Sequence, residues 1–558
     1  MLSRLLDLHA SEITMPGSSA IRSASALCAL SILTACSHVS VARGDVAMPI
    51  PPAPVSVTVE EIDVATLQRQ LQSGALTSHA LTQAYLDRIA AIDDAGPSLN
   101  AVIELNPQVL QEADARDAAR KAGRSAGPLD GIPVLLKDNI DATPMVNSAG
   151  SLALANHHPK QDAFLVQRLR AAGAIILGKT NLSEWANFRS SRATSGWSGR
   201  GGQTRSPYAL DRNPCGSSSG TGSAIAASLA AVGVGTETDG SIICPSSVAG
   251  LVGIKPTVGL VSRGGIIPIS HSQDTAGPMA RSVGDAVALL TAIAGADAAD
   301  SATQSKARPA SIDYTAFLHD GLHGARIGVL RKSMGYQPDV DAAMERAIVA
   351  MRAAGATVVD ARIPTAGQWD DAENTLLMYE FKPDLEAYLA HGDAPVRTLA
   401  GLIEFDKQHA GAEMPYFAQE LFDQALVKGP LTDHAYLTAR DKARRLAGHD
   451  GIDAALKAQH LDALVAPATS PAWLTDPING DQFTGAGYGA AAVAGTPSLT
   501  LPMGDSHGLP IGMVFMGPAW SEGRLIELAY GFEQATHARR APRLLPTVDF
   551  AASAPDGL

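Results

Sequence analysis

The chain has 558 residues, 46% of them hydrophobic and 18% charged, with a formal net charge of −13. That length holds a large core, and the acidic balance without any basic run argues against a nucleic-acid partner. Four cysteines make no disulfide framework in so long a chain, and 52 glycines with 5% aromatic residues favour helices lying close against a sheet.

Residues 1–36 read as an export signal. Arg22 precedes the apolar stretch Ala26-Leu27-Cys28-Ala29-Leu30-Ser31-Ile32-Leu33, which is too short to span a bilayer. The small residues before Cys36 resemble a bacterial lipoprotein cleavage box, which would make Cys36 the lipidated first residue of the mature chain. A plain secretory signal, or a true start at Met15, is the alternative. The protein is expected to be exported, periplasmic or held at a membrane through Cys36. Residues 37–57, with Pro49, Pro51, Pro52 and Pro54, read as a stiff tether. Residues 58–545 read as the folded domain and 546–558 as a tail. Export would permit a disulfide between Cys215 and Cys244, but they read as free, small, buried core residues.

From Thr58 to Ile92 the pattern is helical, with stripes Val64, Leu67, Leu71 and Leu81, Tyr85, Leu86, Ile89. Ala101-Val102-Ile103 predicts a short strand and 108–122 a surface helix. Pro133-Val134-Leu135-Leu136-Lys137 and Ala174-Ile175-Ile176-Leu177-Gly178-Lys179 predict strands covered on both faces, with a helix over 162–172 between them. This alternation implies an α/β layered fold. The Gly/Ser-rich stretch 190–222 is too polar for core. A small-residue helix is predicted over 223–231, then a strand over 232–236. Residues 296–312 read as a polar linker. A β-α-β unit is predicted from 326–330, 341–354 and 356–360, a mostly helical region over 370–460, and a strand at 461–467. The strands 498–502 and 512–516 are expected to pair, followed by a helix near 521–537. There is no internal repeat.

Two serine-bearing segments and one lysine carry candidate chemistry. They are Gly216-Ser217-Ser218-Ser219-Gly220, then Thr236-Glu237-Thr238-Asp239-Gly240-Ser241-Ile242, and Lys137 at the end of its apolar strand. A serine needs a base to become a nucleophile, and an uncharged lysine can serve. Free lysine titrates at about 10.4, so neutrality near pH 7.5 requires a fall of about 3, roughly 4 kcal/mol. Burial can supply that. A lysine merely capping a strand beside Asp138 is the plainer alternative. The serine loop also fits the G-x-S-x-G elbow, with Ser218 as nucleophile and a later histidine such as His271, His449 or His507 as base.

The extended pattern resembles the amidase signature family. It runs through Asn213-Pro214-Cys215-Gly216-Ser217-Ser218-Ser219-Gly220, Gly235-Thr236-Glu237-Thr238-Asp239-Gly240-Ser241-Ile242, Gly253-Ile254-Lys255-Pro256-Thr257-Val258-Gly259 and Ser272-Gln273-Asp274-Thr275-Ala276-Gly277-Pro278. Gly131 to Asp138, Gly178-Lys179-Thr180-Asn181, Gly495-Thr496-Pro497 and Pro510-Ile511-Gly512 match further blocks, so the likeness spans about residues 60 to 540. It implies one large α/β domain with a mixed, twisted sheet under helices on both faces. It further implies a Ser-Ser-Lys triad without metal or cofactor. Ser241 would attack the amide carbon. Ser217, in a cis Gly216–Ser217 peptide, would pass its proton to Lys137. Backbone N–H groups of Thr238, Asp239, Gly240 and Ser241 would form the oxyanion hole. Water would then cleave the acyl-enzyme.

Cys215, Ser219, Asp239 and Ile243 depart from the commonest family pattern and look like the bacterial peptide amidase branch, which removes the terminal amide of peptide amides. An exported, monomeric peptide amidase acting on a small-molecule or short peptide amide is therefore expected. An amidase with an aryl or acyl amide substrate, the glutaminase component of a tRNA amidotransferase, and a peptide-binding lipoprotein without turnover are the alternatives. If Asp239 faces the substrate, its charge would repel a free carboxylate and tolerate a neutral amide. Otherwise it hydrogen-bonds the turn.

Overall fold

Apolar runs with no polar alternation must be covered on both sides, and four such runs form the middle of the protein. In a computed structural model that describes residues 57–310 and 313–550, these are fully buried strands. The export signal, Cys36, the tether up to residue 56 and the end of the tail lie outside the described residues.

The strands are β1 Val102–Leu105, β2 Pro133–Lys137, β3 Ile175–Thr180, and the two-residue pair β4 Trp197–Ser198 and β5 Gly202–Gln203. They continue with β6 Val232–Glu237, β7 Val252–Lys255, β8 Thr275–Ala280, β9 Arg326–Leu330 and β10 Thr357–Ala361. The last are β11 Ala463–Pro467, β12 Ser498–Ser506 and β13 Leu509–Met516. Eleven of them form one mixed sheet in the order β1-β3-β2-β6-β8-β7-β12-β13-β11-β9-β10. The β2–β3, β2–β6, β9–β10 and β9–β11 pairs are parallel and the rest antiparallel. The expected pairing near the C-terminus is present, with Ser498 opposite Met516 and Pro502 opposite Gly512. The predicted β-α-β unit is present too, with Thr357 beside Arg326 in parallel.

Three expectations change. The helix predicted over 223–231 runs from Ser219 to Ala226, so the last two residues of the serine loop, Ser219 and Gly220, open it. Small residues there let backbone meet backbone: a Cβ at Gly220 would lie 2.4 Å from the carbonyl oxygens of Ala101 and Asn181. The segment 296–312 is no free linker. Arg263 donates to Asp300, and Thr303 donates to the carbonyl of Asp297. Strands β7 and β8 and the helix Val283–Ile293 went unpredicted. Gly and Pro disfavour a strand locally, yet Gly277 sits in a central strand whose packing leaves a Cβ only 2.0 Å from the Ile254 carbonyl oxygen.

The helical region expected over 370–460 contains the helices Asp370–His391, Leu399–Gln408, Glu420–Leu426 and His434–Ala447. Phe381, Leu385, Leu402 and Phe422 pack there against Leu154 and Trp185. The first helix is also tied to the segment before β8, where Ser272 donates to Glu380.

Candidate active site

Strands β2 and β6 are parallel neighbours, with Val134 beside Val232 and Leu136 beside Val234. Their ends therefore bring Lys137 next to Thr236. The serine loop is fastened onto the same end by Ser218. Its hydroxyl donates to the Thr236 carbonyl at 3.1 Å and accepts the Thr236 N–H at 3.2 Å, and its N–H donates to the Ser241 carbonyl at 3.2 Å. A hydroxyl so committed is no free nucleophile, and the elbow alternative fails on it. The histidines offered for that elbow bond elsewhere: His271 to Asp384, His449 to Asp450, and His507 lies beside Asp339.

Ser217 follows a cis Gly216–Ser217 peptide. Lys137 Nζ donates to Ser217 Oγ at 2.8 Å and to Thr236 Oγ1 at 2.9 Å. Ser217 Oγ lies 2.9 Å from Ser241 Oγ. Asn139 also donates to Thr236 Oγ1, at 3.0 Å, and so helps hold the hydroxyl that faces the lysine. Lys137 and Ser217 are wholly buried and Ser241 is 8% exposed. Burial lowers the Lys137 amine to about 7, against the opposing pull of Asp274 and Glu237. A lysine at that value is half neutral near physiological pH and can take a proton.

The turn from Thr238 to Ser241 is shaped by its flanks. Gly240 has φ +79°, and a Cβ there would lie 2.3 Å from the Tyr488 ring. Glu237 Oε2 accepts the N–H groups of Ile242 and Ile243 at 2.7 and 2.9 Å, and the Gly240 N–H also faces this carboxylate. Burial raises Glu237, which Lys255 opposes; burial lowers Lys255 to about 8, which Glu237 opposes. Thr238 Oγ1 donates to Asp274 at 2.5 Å, and Asp274 accepts the Ile269 and Ser270 N–H groups. Among the described residues the N–H groups of Thr238, Asp239 and Ser241 donate to no protein acceptor. Such unused donors beside a serine hydroxyl suit a developing oxyanion.

Cys215 and Cys244 form a disulfide, with Cα atoms 6.0 Å apart, which corrects the expectation of free thiols. Cys215 lies two residues before Ser217 and Cys244 three after Ser241. The contact between the two serines brings both sulfurs into bonding range, which a sequence separation of 29 does not reveal.

Thr236, Asn139, Glu237, Lys255 and Asp274 are the supporting residues to which sequence reasoning gave no role. All but Asn139 sit inside the motif blocks. A cavity of about 880 Å³ is lined by Asn139, Thr236, Thr238, Ile267, Asp274 and Tyr388 among others. Among the described residues, His271, Glu380 and Asp384 alone bring three metal-ligating atoms within 4.8 Å of one another. Their atoms already serve one another, and Glu380 also accepts from Ser272 and Tyr436.

Residues 80–526 match the family model for amidases. The chain belongs to the amidase family. It is an amide-cleaving hydrolase acting on C–N bonds. This amidase is 39% identical over 502 residues to a probable amidase of Arabidopsis thaliana, covering 88% of the chain and 91% of that protein. It is 34% identical over 504 residues to a glutamyl-tRNA(Gln) amidotransferase component of Acinetobacter baumannii, covering 87% and 98%. Among solved structures, the native peptide amidase from Stenotrophomonas maltophilia superimposes with a TM-score of 0.84 at 58% identity, covering 87% of this amidase and 99% of that chain. An amidase family protein from Bacillus anthracis gives 0.77 at 35% identity, covering 87% and 93%.

Proposed function

We propose that this amidase hydrolyses the C-terminal carboxamide of peptide amides, releasing the free peptide and ammonia through an acyl-enzyme on Ser241. The observation that carries the mechanism is the unbroken line Lys137 Nζ, Ser217 Oγ, Ser241 Oγ, at 2.8 and 2.9 Å. With Lys137 neutral, the Ser241 proton passes to Ser217 and the Ser217 proton to Lys137 as Ser241 attacks the carbonyl carbon. The tetrahedral oxyanion is held by the unused N–H groups of Thr238, Asp239 and Ser241, the Gly240 N–H being turned to Glu237. Collapse breaks the C–N bond, and Lys137 returns its proton through Ser217 to the departing nitrogen, giving ammonia. Water then attacks the ester by the same relay and frees the peptide carboxylate.

The peptide-amide substrate is supported by the 58% identity with the Stenotrophomonas maltophilia peptide amidase. Ammonia release from a dipeptide amide, a benzamide, a fatty amide and free glutamine tests it. Turnover of the dipeptide amide alone is expected, and turnover of the benzamide or fatty amide alone overturns the substrate assignment. We further propose export, with Cys36 as a lipid anchor. The Cys215–Cys244 disulfide is consistent with an oxidising compartment.

A further inference from the structure

Between Thr238 and Ser241 the turn presents one exposed residue, Asp239, within a buried stretch. Its carboxylate makes no hydrogen bond among the described residues, so it does not serve the turn. Its side chain is open at the surface, two residues before Ser241. Glu373, half-buried on the helix Asp370–His391, acts on it electrostatically. Glu373 is held to the same turn by one side chain: Gln273 Nε2 donates to Glu373 Oε1 at 2.9 Å and to the Thr238 carbonyl at 3.2 Å.

We propose that Asp239 and Glu373 form an acidic selector beside the nucleophile, which accepts the N–H donors of a terminal carboxamide and turns away the carboxylate product. This rests on the peptide-amide reading and deepens it. A primary amide is neutral and carries two donors. The product is an anion with none, and it would bring a further negative charge beside two carboxyls held at the same turn. The groups acting on Asp239 are Glu373 and Asp370 from the helix, Glu237 and Lys255 from the sheet, and the Tyr488 hydroxyl. Lys255 is the cation among them, and Glu237 and Glu522 also pull on it.

Burial, then Glu373, pushes Asp239 well above its ordinary value, and burial pushes Glu373 up to about 7. Two such carboxyls titrate as a pair. Below about pH 7 a protonated Glu373 tolerates a carboxylate and can donate to it. As pH rises through that value Glu373 gains charge, and the product is excluded more strongly.

The test compares an N-acetyl dipeptide amide with its free acid in the wild type, Asp239→Asn and Glu373→Gln, from pH 6 to 8.5. The readout is the ratio of the free-acid inhibition constant to the amide KM. In the wild type this ratio should rise with pH. Asp239→Asn should lower it at least tenfold at pH 8 and flatten its rise, and Glu373→Gln should shift it in the same direction. If Asp239→Asn turns over too slowly, the affinities of amide and acid are measured by calorimetry on Ser241→Ala with and without Asp239→Asn, with the same ratio expected. A ratio unchanged by Asp239→Asn, in an enzyme that cleaves the peptide amide, overturns the selector alone. A wild type that releases no ammonia from any peptide amide overturns the substrate reading and the selector with it.

Discussion

Lys137 touches Ser241 only through Ser217. The lysine bonds the Ser217 hydroxyl at 2.8 Å, that hydroxyl bonds Ser241 at 2.9 Å, and no direct Lys137–Ser241 hydrogen bond occurs among the described residues. A proton moving between the two along these hydrogen bonds therefore passes through the Ser217 hydroxyl.

Ser217→Ala should lower kcat/KM for a peptide amide by about 10²–10⁴-fold, the range for loss of a positioned acid–base group. Lys137→Ala should do the same or more, and Ser241→Ala should leave no acyl-enzyme. Ammonia release checks the rates and circular dichroism checks the fold. A Ser217→Ala enzyme within threefold of wild type would show that the lysine acts by another route.

The pH–rate profile should show an acid limb in kcat/KM near pH 7, because only neutral Lys137 accepts the proton and burial lowers its amine to about 7. Stability carries the same sign. The unfolded chain keeps this lysine protonated up to about 10.4. The native state therefore binds fewer protons between about 7 and 10.4, and stability rises with pH across that window. Lys137→Met removes the effect. Its melting temperature relative to wild type should be most favourable at pH 6 and should lose ground by pH 9. A gap independent of pH would contradict a depressed lysine.

Glu237→Ala should reduce kcat more than it raises KM. Its carboxylate holds the Ile242 and Ile243 N–H groups that follow Ser241, and its loss frees the turn that carries Ser241. The loss of those bonds, with Lys255 left uncompensated, should cost about 3 kcal/mol of stability. Denaturant titration and steady-state kinetics read the two effects separately.

The Cys215–Cys244 link should appear as a single cross-linked peptide in a non-reducing digest. With a separation of 29 residues, reduction should lower stability by about 3–4 kcal/mol on the chain-entropy account. Two free thiols at these positions in protein made under oxidising conditions would refute it.

Labelled palmitate should be incorporated into the wild type and not into Cys36→Ala. Equal labelling of both would remove Cys36 as the anchor.

The sequence alone carried the strands that place the lysine and the β-α-β unit, because continuous apolar runs of strand length must be covered on both faces. It also carried the family, through motif blocks that keep Lys137, Ser217 and Ser241 in order. Only the tertiary structure put Lys137 beside Thr236, since that adjacency depends on β2 and β6 being parallel neighbours. It alone committed Ser218 to the Thr236 backbone, joined Cys215 to Cys244, and brought Glu373, 134 residues past Asp239, to the same turn. Local patterns report which face of a segment is buried. They hold no record of which distant segment supplies the partner, because that is set by sheet order and by helices closing over it.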